Sequence, residues 1–201
     1  MRALQWLQYL ERARRRDGKT VFTPAELANI SGAEPRSLSV QLGRLVSRGV
    51  ITRYASGKYG LPGRVSPEDL VGFLDSGAYI TGLYAMSRHN LVTQQAATVT
   101  CFTNRRHNRS RIRRTPIGTF EFVCTSGAVY NPPDDGVVVC AEQAFCDWLY
   151  LCLRNGTEPR SQAAFSGLSR LNAELLVELS DRYPKTVARA IDRIPTLAPS
   201  N

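Results

Sequence analysis

The sequence of 201 residues predicts an α+β fold made of two domains. Three observations predict it. Residues 1–61 show helical apolar periodicity that is interrupted by capping signals and glycines. A short segment with several prolines and glycines follows, which is typical of a linker. Beyond it, short runs of β-branched and aromatic residues alternate with helical patterns, as in domains that place helices against antiparallel strands.

The first predicted helix covers residues 3–16. Its apolar residues recur at helical spacing and are expected to face a core. They are Leu4, Trp6, Leu7, Leu10 and Ala13. The helix ends in the basic run RARRR, which fits a phosphate contact and fits equally well a solvated helix end favoured by the helix dipole. The sequence leaves both interpretations open.

Two further helices have clear start signals. Thr23 precedes Pro24 and is followed three positions later by Glu26, which is a capping box with proline at the first helical position. Pro35 opens the next helix, over residues 35–48, and the following glycine closes it. One side of that helix is apolar and is expected to be buried. It carries Leu38, Leu42, Leu45 and Val46.

A hairpin is predicted at residues 50–61, where VITRY and KYGL flank ASG. The order helix, short extended segment, helix, tight turn, helix and hairpin is that of a winged helix-turn-helix. Two prolines and two glycines between residues 60 and 67 predict the domain boundary. The sequence therefore predicts a winged helix-turn-helix at residues 1–63, followed by a mixed α+β domain of short antiparallel strands with helices at residues 64–201.

The second domain is predicted to contain several short strands and helices. Ser66, Pro67 and Asp69 repeat the capping pattern and open a helix that runs to Leu74. A short strand and then a helix follow within residues 77–92. The other predicted strands are ATVTCFT, IGTFEFVC, AVYN and GVVVC, and the other predicted helices cover residues 141–153, 169–181 and 184–193.

Charge is distributed unevenly along the chain. The formal net charge is +9, and residues 1–63 hold eleven Lys and Arg against four Asp and Glu. Residues 64–201 hold fifteen against thirteen. This asymmetry points to a nucleic acid or another anionic surface as the partner of the first domain.

No membrane, cofactor or metal is expected as a partner. No window approaches the ~18 consecutive apolar residues of a membrane span. The N-terminal segment carries its charges after its apolar part, which is the reverse of a secretory signal, so we expect a cytoplasmic protein. The cysteines lack the close pairing of a zinc site and are expected to be buried free thiols. They are Cys101, Cys124, Cys140, Cys146 and Cys152.

Two blocks of the second domain follow the pattern of a known family. The first is GAYITGLYAMSRHNLV, where the family has Gly-x-Tyr-Ile-Ser before a helix, then Ala-Leu, an aromatic residue or His, and Gly-Leu-Ile. Its matching positions are Gly77, Tyr79, Ile80, Thr81, Ala85, Met86, His89, Leu91 and Val92. The second is VVVCAEQAFCDWLYLCL, where the family has a hydrophobic strand, Ala, Glu-Lys-Ala, an Asp and an apolar helix. Its matching positions are Glu142, Ala144, Asp147, Leu149 and Tyr150.

On these blocks, and on their order after a winged helix-turn-helix, almost the whole chain resembles the AbiEi-type antitoxins of type IV abortive-infection toxin–antitoxin systems. The resemblance implies that the N-terminal domain binds double-stranded DNA and represses its own operon. It also implies that the C-terminal domain counteracts a nucleotidyltransferase toxin encoded alongside, without a stable complex between the two proteins. Gln143 stands where the family usually has Lys, which leaves any role of that Lys open.

The polar side of the helix at residues 35–48 is the predicted DNA-binding surface. With its leucines buried, this side presents donor-rich side chains that read base edges in the major groove or hold phosphates. The predicted contacts are Arg36, Ser37, Gln41, Arg44 and Arg48 on the helix, with Arg53, Tyr54, Lys58 and Tyr59 in the wing. Winged helices also serve as protein-interaction modules, and in that case these charges are merely solvated.

A second basic feature is the run NRRHNRSRIRR at residues 104–114, between two predicted strands. Its arginines are Arg105, Arg106, Arg109, Arg111, Arg113 and Arg114. One interpretation is a loop that contacts DNA, or an RNA such as a tRNA. The more common role of such a run is a solvated hairpin tip.

An enzyme is the competing class, and we do not expect one. Asp134, Asp135 and Glu142 lie around a predicted strand, as the carboxylates of a metal-dependent nuclease do. Such a centre normally has a Lys after the last acid, where this chain has Gln143. The two aspartates fit a turn, and Glu142 fits a helix start where a carboxylate suits the dipole. His89 has no visible Ser or Cys nucleophile as partner.

Two functions therefore remain as hypotheses. The first is an AbiEi-type antitoxin that represses its own operon. The alternative is a winged-helix transcriptional regulator whose second domain senses a ligand or dimerises. A nucleotidyltransferase gene next to this one favours the antitoxin, and a metabolic operon favours the alternative.

Overall fold

The structure, a computed structural model, describes residues 2–106, 110–125 and 127–193. It is a mixed α+β protein with small sheets, which confirms the predicted class at that level. The chain divides into two compact units. The first runs to Leu74 and includes the segment Arg114–Gly118. The second comprises Asp75–Arg113 and the chain from Thr119 onward.

The first unit contains helices and one hairpin. Its elements are α1 (Ala3–Asp17), α2 (Pro24–Ser31), α3 (Pro35–Ser47), β1 (Thr52–Ala55), β2 (Lys58–Gly60) and α4 (Pro67–Leu74). The order matches the sequence prediction element by element. The sequence placed the domain boundary at residues 63–64, and this division groups α4 with the first unit.

The hairpin is antiparallel and pairs on its second strand with the segment before α2. Phe22 and Tyr59 exchange two backbone hydrogen bonds, of 2.8 and 2.9 Å, so the predicted extended stretch is present as a single bridge. The last residue of β2, Gly60, must be a glycine because the backbone of Thr20 approaches it closely. A Cβ at this position would lie 2.5 Å from the carbonyl oxygen of Thr20, which no larger residue tolerates.

Both predicted capping boxes are present. The Thr23 backbone N–H donates to Glu26 Oε2 over 2.8 Å, and the Glu26 N–H donates to Thr23 Oγ1 over 3.4 Å. Ser66 and Asp69 make the same reciprocal pair, at 2.8 and 3.2 Å. These bonds satisfy N–H groups that a helix start leaves without intrahelical partners.

The core of the first unit is formed by α1, α2, α3 and the chain on either side of the hairpin. Its buried side chains are Trp6, Leu10, Ala13, Phe22, Leu27, Leu38, Leu42, Leu45, Ile51 and Leu61. The prediction that Leu4 belongs to the α1 stripe is wrong, since this side chain is 64% exposed. Trp6, Leu10 and Ala13 define the buried side, and at about 100° per residue Leu4 lies nearly opposite Trp6.

Helices lie against a four-stranded sheet whose residues belong to the second unit, except for Arg114–Gly118 between and at the ends of its last two strands. The strands are β3 (Tyr79–Thr81), β4 (Thr98–Thr103), β5 (Ile112–Thr115) and β6 (Gly118–Cys124), in the spatial order β3, β4, β6, β5. β3 is antiparallel to β4, whereas β4 is parallel to β6, so the sheet is mixed rather than antiparallel throughout. The helices are α5 (Gly82–Arg88), α6 (Ala141–Arg154), α7 (Pro159–Gln162), α8 (Ala173–Ser180) and α9 (Lys185–Asp192).

Two of the predicted strands do not form. Residues 128–131 are a turn and coil, and GVVVC pairs with β3 only through the bridge between Ile80 and Val138. The inner strands β4 and β6 already have neighbours on both sides, and that bridge occupies the outer edge of β3. Val129 is buried as a core side chain without joining the sheet. β5, within the basic run, is a strand that the sequence analysis missed.

α6 is the central helix of the second unit. Most of its side chains are buried, including Phe145, Trp148 and Leu149, and it packs against α5, α8 and α9. The predicted helix at residues 141–153 is thus confirmed. None of the helices in the described ranges has the length and apolar character needed to cross a bilayer.

One carboxylate is enclosed by this packing. Asp147 of α6 is fully buried and accepts two hydrogen bonds of 2.7 Å, from Thr81 Oγ1 on β3 and from the hydroxyl of Tyr183 after α8. Burial raises the pKa of Asp147 to about 7, although hydrogen bonds from Thr81, Tyr183 and Gln143 act to lower it. No Lys, Arg or His is among the described groups that influence this carboxyl.

The first prediction concerns pH. Because the folded pKa of Asp147 lies above the ordinary value of 3.8, the folded protein binds an extra proton between about pH 4 and pH 7. Protonated Asp147 stabilises the folded state, and this contribution is complete below about pH 4. It is lost as the pH rises to about 7, and the free energy of unfolding does not change further above that pH through this group. Asp147→Asn removes the titrating group. The difference in unfolding free energy between the two proteins should therefore change by roughly 2–4 kcal/mol across this range.

Urea unfolding of both proteins at pH values from 4 to 8 measures this difference. Glu142→Gln is the matched control, because it makes a carboxyl-to-amide change at another buried residue of α6, whose carboxylate accepts the backbone N–H of Asn172. A difference between wild type and Asp147→Asn that does not vary with pH would contradict the assignment.

Candidate nucleic-acid interface

α3 has one buried and one exposed side. Leu38, Leu42 and Leu45 are at most 6% exposed and fix the rotation of the helix about its axis. Pro35 occupies the first turn, where its missing N–H costs no hydrogen bond. At about 100° per residue, the side opposite the leucines is centred on residues 36, 40, 43 and 47. The exposed side is therefore determined by the core.

Arginines project from this exposed side and from the hairpin. Arg36, Arg44 and Arg48 on or directly after α3, and Arg53 on β1, are all exposed. Among the described residues, none provides these four guanidinium groups with a hydrogen bond or an ion pair. Arginine carries five N–H donors and stays charged at physiological pH, so these donors are available to an external acceptor.

Glu34, the N-cap residue of α3, is the one carboxylate of residues 1–63 beside this helix, and the other three pair with basic residues elsewhere. Glu11 pairs with Arg14 and Arg15 at 3.0 and 3.8 Å, and Asp17 pairs with Arg16 at 2.9 Å. Glu26 pairs with Lys19. Much of the basic end of α1 is therefore compensated within the helix, whereas the arginines of α3 and β1 are not. The positive charge of the first unit is concentrated on α3 and the hairpin.

The hairpin residues differ from the sequence prediction. Tyr54 is only 3% exposed and its hydroxyl donates to the Leu61 carbonyl over 2.8 Å, so we remove it from the candidate contacts. Tyr59 is half-buried against the core. Lys58 is also half-buried, with its ammonium 4.9 Å from the centre of the Phe73 ring. Arg53 is the fully exposed basic residue of this set.

The polar residues of α3 separate into two positions. Ser37 is exposed, as predicted. Gln41 is half-buried at the margin of the leucine side, and its Nε2 lies 3.5 Å from Ser37 Oγ. Its Oε1 atom is buried and has no hydrogen-bond partner among the described residues. Gln41 therefore flanks the exposed side and does not project from its centre.

The centre of the exposed side holds residues that the sequence analysis missed. Val40 is 55% exposed, and Gly43 lies next to it with open space around its missing side chain. Neither side chain carries a hydrogen-bond donor, which is why the donor pattern of the sequence did not indicate them. The sequence pattern that could have identified Val40 and Gly43 is their position on α3, on the side opposite Leu38 and Leu42.

The arginine run at residues 104–114 is only partly free. Arg105 donates to Ser76 Oγ over 2.9 Å, Arg111 pairs with Glu121 at 2.9 Å, and Arg113 stacks 4.4 Å from the Phe122 ring. Arg106 and Arg114 are exposed. Arg109 lies outside the described residues. The run therefore includes strand residues with partners in the sheet and is not a uniform basic loop.

The residues of the enzyme alternative do not converge. Asp134 and Asp135 are exposed in a loop. Glu142 is buried and accepts the backbone N–H of Asn172 over 2.8 Å. His89 Nε2 lies 2.8 Å from the carbonyl oxygen of Val139 and donates to it. In the described ranges, no three His, Cys, Asp or Glu side chains form a group that could hold a metal ion.

Comparison with known proteins adds no family assignment. No protein-family model matches the chain, and no curated protein is significantly similar to it. The resemblance to antitoxins stays an expectation based on the two sequence blocks.

Proposed function

We propose that the first unit is a winged helix-turn-helix domain that binds duplex DNA. In this proposal α3 enters the major groove and the hairpin is the wing that contacts the sugar-phosphate backbone. The single observation that supports it best is the set of four exposed arginines on α3 and β1 without internal partners. Base edges and phosphates are acceptors that such donors bind.

The charge distribution favours DNA over a protein partner for this surface. Three of the four carboxylates in residues 1–63 pair with arginines of α1 or with Lys19, and the fourth, Glu34 at the N-cap of α3, pairs with none of the arginines of α3. A surface of uncompensated arginines releases counterions when it binds phosphates, and this release contributes much of the affinity for DNA. The core of a protein interface is instead depleted of charge.

The wider proposal is an antitoxin that represses its own operon in the cytoplasm and whose second unit counteracts a nucleotidyltransferase toxin. Its support is the pair of family-like blocks, which are adjacent in the structure. The first block forms β3 and α5, the second forms α6, and Thr81 of one donates to Asp147 of the other. The two blocks thus belong to one packed substructure.

The DNA-binding part is tested with a duplex that carries the sequence upstream of the gene. An arginine that is bidentate to guanine contributes about 1–3 kcal/mol of discrimination, and a phosphate contact contributes none. We expect Arg44→Ala to weaken binding to this duplex by about tenfold or more while it changes random-duplex binding much less. Gel-shift titrations at one salt concentration give both dissociation constants. A parallel loss on both duplexes would identify Arg44 as a phosphate contact.

The wing is tested by salt dependence. The logarithm of the binding constant should fall with the logarithm of the salt concentration by about 0.9 per phosphate contact. Arg53→Ala should reduce that slope by roughly one contact on either duplex. Arg170→Ala removes the same charge from an exposed site in the second unit and should leave the slope unchanged. Absence of binding by the wild type at low salt would reject DNA as the ligand.

The antitoxin part is tested in the full chain. Arg44→Ala combined with Arg53→Ala should abolish operator binding but still rescue growth from the nucleotidyltransferase encoded next to the gene. The reason is that both family-like blocks lie in the second unit. Rescue is scored by co-expression from separate inducible promoters. Loss of rescue in the double variant would contradict this division, and a neighbourhood without such a gene would favour the alternative regulator.

A further inference from the structure

In the middle turns of α3, the centre of the exposed side is occupied by Val40 and Gly43, whose side chains carry no hydrogen-bond donor. Val40 is the most exposed large apolar side chain of this helix, and it lies one turn from Arg36 and one turn from Arg44. Burial of Val40 in the core is excluded by the leucines, which occupy the other side. An exposed valine in the line of two exposed arginines therefore has no role in the packing of the first unit.

Gly43 is the second residue without an internal role. It lies in the interior of α3, where glycine is the least favourable residue except proline. A Cβ there would have no atom within 4 Å, so neither packing nor backbone conformation in the described residues requires a glycine. Glycine also permits close approach of a helix backbone to a ligand. Two locally unfavourable choices side by side are typical of a functional surface.

Resting on the proposed function, we propose that Val40 contacts the C5-methyl group of a thymine in the operator, and that Gly43 lets α3 approach the base edges closely enough for this contact. The thymine methyl is the apolar group that the bases present in the major groove. A hydrogen-bond donor makes no hydrogen bond to this methyl group, whereas a branched aliphatic side chain makes van der Waals contact with it. Arg36 and Arg44 then contact groups on either side of that thymine.

A protein partner is the competing occupant of Val40. DNA is favoured because the same side of α3 carries exposed arginines without carboxylate partners among the described residues. A neighbouring protein would have to bury these guanidinium groups or supply carboxylates for them. Phosphates and guanine acceptors are present in any duplex beside a thymine.

The test replaces single thymines of the bound duplex by deoxyuridine, which pairs identically but lacks the methyl group. Burial of one methyl group corresponds to about a fourfold change in affinity. The wild type should lose about this factor at one or two positions, and Val40→Ala should bind the thymine and uracil duplexes equally. Val177→Ala, which truncates another exposed valine, on α8, should retain the discrimination.

Gly43→Ala gives an independent readout. It should raise the melting temperature by about 2–4 °C, since alanine favours a helix interior, and yet weaken operator binding by at least tenfold. Gly72→Ala in α4 is the matched control, because its Cβ also has open space. It should raise the melting temperature similarly and leave DNA binding unchanged.

The outcomes separate this inference from the proposed function. If the wild type binds the operator but Val40→Ala removes thymine discrimination at no position, the inference is overturned. The proposal of DNA binding is then unaffected. Gly43→Ala that binds as tightly as the wild type would overturn the role of Gly43. A change in sedimentation coefficient on Val40→Ala, with discrimination retained, would assign Val40 to a protein interface. No binding of the wild type would reject both.

Discussion

Burial of three leucines on α3 is the constraint from which the candidate interface follows. Leu38, Leu42 and Leu45 leave the helix one orientation, because turning it would expose them to water at a cost of roughly 1.5–3 kcal/mol for each side chain. Once the orientation is set, helical geometry alone decides which side chains face outward. The arginines are presented outward by the core and need no contacts of their own to hold them there.

The charge pattern of the first unit follows from a second, local effect. Carboxylates three or four positions before an arginine on a helix form ion pairs, as Glu11 does with Arg14 and Arg15. The same spacing is absent from α3, whose first turn contains no acidic residue. Two basic stretches of similar composition thus differ in what they offer a ligand. Net charge by itself does not distinguish them.

Local sequence signals predicted most of the helices. The strands were predicted less well, because strand formation depends on pairing with distant parts of the chain. The capping boxes at Thr23 and Ser66 are short-range chemistry that a sequence shows directly. Strand formation depends on long-range pairing, so residues 128–131 have a strand-like composition but remain turn and coil, whereas the arginine-rich β5 pairs with β6. Tyr54 is a residue type that often contacts DNA, but here it is buried and its hydroxyl donates to the Leu61 carbonyl. That packing is not visible in the sequence. Val40 was not predicted as part of the exposed side, because its side chain carries no hydrogen-bond donor.

The hydrogen bonds of Asp147 also constrain the order in which the two units can fold during synthesis. Its two partners lie 66 residues before it and 36 residues after it in the chain. During synthesis, the core of the first unit is complete once Leu61 has emerged, whereas the carboxyl of Asp147 stays without one partner until Tyr183 has left the ribosome. The second unit therefore reaches its native packing late, and a chain that ends before Tyr183 keeps a buried carboxyl with an unfilled acceptor.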